Sequence, residues 1–221
     1  MIERILKTDF LNVVNESRRH DAPPWDVEPC VRAETVIQHA FDVDDSSGDP
    51  QTIVRPFENG TASYINGKPN KPYSLRFVCY DDYMHQFVFD DGKGHAHVSL
   101  FIDGVRMADF LAYDESDGRK WFVVHELSKG ELKNKRSRGR IQLSATLNML
   151  CKCPAMKEFI DGFRNKRCIL SAHDERVLTP KGMADAFMEA YTILPEPIEF
   201  NYGVINRFGF KAFETSKVIL D

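Results

Sequence analysis

The run from Asp109 to Lys129 constrains this chain more than any other stretch. Asp117-Gly118 is a strong signal for a two-residue hairpin turn, and such a turn pairs residues whose numbers sum to 235. Asp109 then lies opposite Glu126, on a face shared with Leu111, Tyr113, Phe122 and Val124, while Phe110, Ala112, Trp121 and Val123 line the other face. Two apolar faces need cover on both sides, so the hairpin belongs in the interior of a sheet. Directly opposed side chains have Cβ atoms about 4.5–5.5 Å apart, and two carboxylates so placed repel unless a cation or a shared proton lies between them. One inserted turn residue would shift the register and leave each acid an ordinary strand-end charge.

The flanking sequence supplies the rest of an α/β fold. Ile2, Ile5, Leu6, Phe10, Val13 and Val14 fall at helical spacing, which predicts an amphipathic opening helix ending before Pro23-Pro24. A shorter helix carrying Glu34 is expected from about Val31 to Phe41, then irregular chain or short edge strands from Asp42 to Pro72. Aromatic and β-branched residues in Ser74–Tyr80, Met84–Phe89 and Ala96–Ile102 predict three strands. Beyond the hairpin come a helix from about Ser137 to Leu150, a short helix near Met156–Phe163 and a strand at Arg167–Ala172. A helix opened by Thr179-Pro180 and running to about Ile193 follows, and then a hairpin from Ile198 to Phe213 that turns at Asn206-Arg207. The reading is one domain over residues 1–221, with a mixed central sheet flanked by helices. Residues 1–93 form an N-terminal extension of helices and strands, irregular in part, 94–175 the core, and 176–221 a C-terminal helix and hairpin.

Composition narrows the class only coarsely. A hydrophobic share of 43% with 28% charged residues excludes a disordered or collagen-like chain, and no stretch reaches the roughly 20 apolar residues that span a bilayer. No secretory leader is read at Met1–Leu11, and five cysteines, an odd number, are most simply reduced thiols, so a cytoplasmic setting is expected. The net charge of -4 argues against a surface built globally for nucleic acid. Locally the balance reverses, because Lys129, Lys133, Lys135, Arg136, Arg138 and Arg140 face only Glu131 within residues 129–140. Such a run either solubilises a surface or contacts phosphates.

The order helix, three strands, helix, strand, with Asp109 on the second strand and Glu126 on the third, resembles the PD-(D/E)XK nuclease-like superfamily over residues from about 94 to 175. The matching strands are Ala96–Ile102, Asp109–Asp114, Trp121–Ser128 and Arg167–Ala172, and the matching helix carries Gln142. The resemblance implies a restriction-endonuclease-like core and a metal-dependent nuclease acting on DNA. Asp109, Glu126 and the carbonyl oxygen of Leu127 would hold Mg²⁺ or Mn²⁺, with Gln142 on the following helix. The lysine of the motif belongs two residues after the glutamate, and that position is Ser128. Lys129 is the nearest substitute, with Arg138 and Lys135 on the Gln142 face of the helix as others. Lys133, Lys135, Arg136, Arg138 and Arg140 would then contact nucleic acid. Ser128 keeps open a second reading, a non-catalytic nuclease-fold protein that binds nucleic acid or regulates. RNA as substrate and a homodimer also stay open.

Other clusters read as structural. His95 and His97 alternate on one strand without an evident third ligand, and Cys151, Cys153 and Cys168 lack a second pair to complete a zinc site. His125 faces away from Glu126 and reads as a packed residue. Ser171, His173 and Asp174 cannot form a triad from neighbouring positions of one segment.

Overall fold

The computed structural model describes residues 1–44, 53–57, 60–93, 97–101, 106–129, 132–173 and 197–221, with backbone alone for 129, 132–135, 172 and 173. The opening helix is two pieces, α1 (Ile2–Lys7) and α2 (Asp9–Glu16), which break at Thr8 and bury all six apolar residues expected of them.

Strands β1 (Ala33–Val36), β2 (Ala40–Val43), β3 (Val54–Arg55) and β4 (Ala62–Asn66) follow. The helix expected over 31–41 is therefore replaced by two strands. Thr35, Val36 and Ile37 are β-branched and disfavour helix, and β1 gains a full antiparallel ladder against β5 (Leu75–Cys79). The stretch expected to be irregular holds β4, whose Ala62, Tyr64 and Asn66 alternate into the interior.

Met84–Phe89 is not one strand. Tyr80–His85 forms α3, with Asp81 and Asp82 in its first turn, where carboxylates favour the positive end of the helix dipole. The short β6 (Val88–Phe89) pairs with β7 (Val98–Ser99) in a separate ribbon, so the expected core strand Ala96–Ile102 is only this two-residue piece. The core strand before the hairpin is instead β5.

The hairpin is β8 (Phe110–Asp114) and β9 (Trp121–Lys129). Pairs Phe110↔His125 through Tyr113↔Phe122 keep the expected register. Its connection is longer than a two-residue loop but remains centred on Asp117-Gly118: Arg119 N donates to Ser116 O at 3.0 Å, and Arg119 takes the left-handed conformation at φ 39°. Asp114 braces this loop by accepting the amides of Ser116 and Lys120, both at 3.0 Å.

After β9 come α4 (Leu132–Lys152), α5 (Pro154–Asp161) and β10 (Asn165–His173). The expected helix from Thr179 lies outside the described residues. The chain closes with β11 (Ile198–Phe200), the short α6 (Gly203–Asn206), β12 (Lys211–Glu214) and β13 (Lys217–Leu220). β11 and β12 pair antiparallel as expected, although α6 stands where a tight turn was expected.

A seven-stranded mixed sheet, β1-β5-β8-β9-β10-β12-β11, forms the centre, parallel from β9 through β10 to β12 and antiparallel elsewhere. Leu111, Tyr113, Phe122 and Val124 pack under the helices, while Phe110, Ala112, Trp121 and Val123 pack against a second sheet, β13-β4-β2-β3. Both faces of the hairpin are covered, as its sequence requires. No helix among the described residues is long and apolar enough to cross a membrane.

Candidate metal and nucleic-acid site

Asp109 sits in the bend entering β8, one step beyond the last ladder pair, and the register places it opposite Glu126. Its Oδ2 accepts the amide hydrogen of Leu127 at 2.5 Å, and its main-chain oxygen accepts Tyr80 N at 2.9 Å. The residue thus fastens β9 and the start of α3 together. Glu126 is 6% exposed and lies on the helix-covered face. The two acids stand at the end of the sheet where the parallel strands β9, β10 and β12 present their carboxyl ends, the edge where open α/β sheets bind ligands.

Helix α4 crosses above this edge. Gln142, buried, donates from Nε2 to Met107 O at 3.3 Å, and Thr146 Oγ1 accepts Ala108 N at 2.8 Å, so one polar face of α4 holds the two residues leading into Asp109. The sequence reading found Gln142 but missed Thr146, although a polar residue four positions on shares the same helix face. Gly139 lets α4 lie close to the sheet, because a Cβ there would stand 2.5 Å from Leu170 Cδ1.

The helix expected from Ser137 starts earlier. Helix α4 begins at Leu132, so the cations occupy its first turns, consistent with the good helix propensity of lysine and arginine. Arg136 and Arg140, one turn apart, both pair with Glu214 of β12, at 2.7 and 2.9 Å. Two of the five expected phosphate ligands are therefore engaged within the fold, and Arg138 is exposed. The side chains of Lys129, Lys133 and Lys135 lie outside the described residues. Glu214 escaped the sequence reading. The available signal was an acid two residues from Ala212, at an inward position of its strand.

Register aligns these groups in one row. Glu126 pairs with Leu170, and Leu170 with Glu214, so Asp109, Glu126, Leu170 and Glu214 follow one another across β8, β9, β10 and β12 on the same face. At about 4.8 Å between strands, Glu126 and Glu214 start about 10 Å apart. Ser128 is also buried on this face.

No family model, curated protein or solved structure matches the chain. Among the described residues no group of three His, Cys, Asp or Glu could hold a metal ion, and Cys30, Cys79, Cys151, Cys153 and Cys168 are free thiols. His95 and Asp174 lie outside the described residues.

His125 is fully buried on the opposite face. Its Nδ1 lies 2.7 Å from Tyr64 Oη and its Nε2 2.7 Å from Ser171 Oγ, which in turn donates to Thr215 O at 2.5 Å. With the Ser171 hydrogen committed to that carbonyl, Nε2–H must donate to Ser171 and Nδ1 must accept from Tyr64. Burial holds the imidazole neutral, with its pKa pushed down to about 3. Ser171 and His125 thus resemble a nucleophile and base only in spacing; enclosed between two sheets, they join β4 to β9 and β10.

Proposed function

We propose that this chain is a metal-dependent nuclease acting on DNA, built on a restriction-endonuclease-like core. The observation that carries the reading is the facing pair Asp109 and Glu126 at the carboxyl edge of β9, β10 and β12, beneath the cation-rich half of α4. The succession β5, β8, β9, α4, β10, with two antiparallel joins and one parallel crossover, supports the same topology.

The donors fit Mg²⁺ or Mn²⁺: two carboxylates and the Leu127 carbonyl are hard oxygen ligands, and Mg²⁺ commonly takes one or two carboxylates and retains water. When bound, such an ion supplies an activated water and offsets charge on the phosphoryl oxygens. Asp109, Glu126 and Leu127 would hold it. Gln142 and Thr146 fix the Met107-Ala108 segment and so set the position of Asp109. Ser128 shares the Glu126 face, and the β9 ladder runs unbroken through Lys129, at the alternate position. Arg138 of α4 therefore replaces Lys129 as the cation that orients water, while Lys133, Lys135 and Arg136 meet the phosphates and Arg140 stays on Glu214.

Calorimetric titration with Mn²⁺ tests the site: the wild type gives a binding isotherm and Asp109→Asn does not. Mn²⁺ or Mg²⁺ then supports nicking of plasmid DNA, and Glu126→Gln abolishes it. Absence of cleavage across metals and substrates defeats the enzyme. Ser128, in the lysine position and buried beside Glu126, favours the second reading, a non-catalytic nucleic-acid-binding module. In that case DNA binding persists in Glu126→Gln and needs no metal.

A further inference from the structure

The Arg136–Glu214–Arg140 trio contains two guanidinium groups and one carboxylate. The Glu214 side chain is 4% exposed, so its charge requires a close partner. Arg140 is the fixed one: its guanidinium lies 4.3 Å from the Phe200 ring centre, and its helix turn is held by Ser144 Oγ on Arg140 O at 2.7 Å. Arg136 is 45% exposed and lies nearer the start of α4. Arg140 alone neutralises Glu214, so the trio carries one positive charge uncompensated within itself, placed on the more exposed arm. The first turn of α4 contains no acid, and Arg136 follows directly after it. An anion would complement this charge, and the row of paired residues places the Glu214 backbone about 10 Å from that of Glu126.

We propose that Arg136 is a phosphate-binding residue which Glu214 holds in place and competes for: in the free protein it pairs with the buried carboxylate, and on DNA it transfers to a backbone phosphate while Arg140 keeps Glu214 neutralised. The proposal rests on the nucleic-acid reading above but is independent of cleavage and of metal. It assigns to Glu214 a role in setting affinity.

The test is binding of the full chain to a short labelled DNA duplex in EDTA across a salt series. Glu214→Gln removes the competitor and tightens binding about twofold to fivefold, the range expected for an ion pair whose arginine reaches solvent. In an Arg136→Ala background the same substitution gives no gain. Arg136→Ala alone, an exposed change compatible with folding, makes the slope of log K against log salt shallower by about 0.9, the loss of one phosphate contact. Weakened or unchanged binding in a folded Glu214→Gln protein, or an unaltered salt slope in Arg136→Ala, overturns the proposal. Failure of the wild type to bind DNA also overturns it, whereas the ion site stands or falls separately on the Mn²⁺ titration.

Discussion

The carboxylate of Asp109 accepts the Leu127 amide at 2.5 Å, so the acid proposed to hold the ion also finishes the end of the β8–β9 ladder. The two roles separate by substitution. Asp109→Asn keeps an oxygen acceptor and stays within about 1 kcal/mol of wild type, whereas Asp109→Ala strands a buried amide and loses about 1–3 kcal/mol. Urea unfolding without metal measures both. Equal losses would show that the hydrogen bond does not support the strand end.

Gly139 over Leu170 makes a second case. An alanine normally stabilises a helix interior by about 0.5–1 kcal/mol over glycine. Here its Cβ would enter a fully buried leucine, and overpacking costs about 1–3 kcal/mol. Gly139→Ala is expected to lower stability by about 1 kcal/mol and to weaken Mn²⁺ binding as α4 lifts from the edge. A more stable variant would show that α4 does not need this close approach.

The neutral His125 gives a pH dependence of defined sign. Its pKa in the folded protein is about 3 against 6.5 for a free imidazole, so below pH 6.5 the unfolded chain takes up a proton that the folded one refuses. Its contribution is complete above pH 6.5 and is lost as pH falls towards 3, at up to about 1.4 kcal/mol per pH unit. Carboxylates held below their usual range, such as Glu3, Asp21 and Glu28, lose stability in acid too. The comparison therefore uses His125→Gln: its stability profile between pH 6.5 and 4 is flatter than that of wild type by about this slope. Parallel profiles would count against a neutral, buried imidazole.

Thiol reactivity follows burial. Cys30 is exposed, whereas Cys79, Cys153 and Cys168 are buried, and burial lifts the Cys79 thiol to about 11 despite Arg32 at 2.9 Å from its sulfur. Iodoacetamide at neutral pH should modify Cys30 within minutes and the buried three only after denaturation. Mass spectrometry of the alkylated peptides decides it, and early labelling of Cys79 would contradict the packing.

The hairpin was legible because its information is local. Asp117-Gly118 sets a centre of pairing, and the alternation of Phe110 to Tyr113 and Trp121 to Val124 assigns the faces, so register survived even though the loop is longer than expected. Gln142 was legible only through the resemblance, as the glutamine on the helix that follows the two acids. What escaped depends on distant partners. Tyr64 and Val218 give no short-range sign that β4 and β13 lie side by side, and Ala33–Val36 becomes a strand because β5 offers it a ladder. Glu214 shows in the sequence only as an acid two residues from Ala212, and nothing near residue 214 in the chain announces the two arginines that α4 brings to it.

The parallel pairing of β13 with β4 has a consequence for biosynthesis. Ser63 leaves the ribosome long before Lys217, its partner, and until then β4 has an open edge on the side β13 will occupy. During that interval the nascent polypeptide exposes a ready template for stray strands, and chaperone demand should peak there. Changes at Val218 or Leu220 would prolong the vulnerable period, surfacing first as insoluble product at high expression temperature.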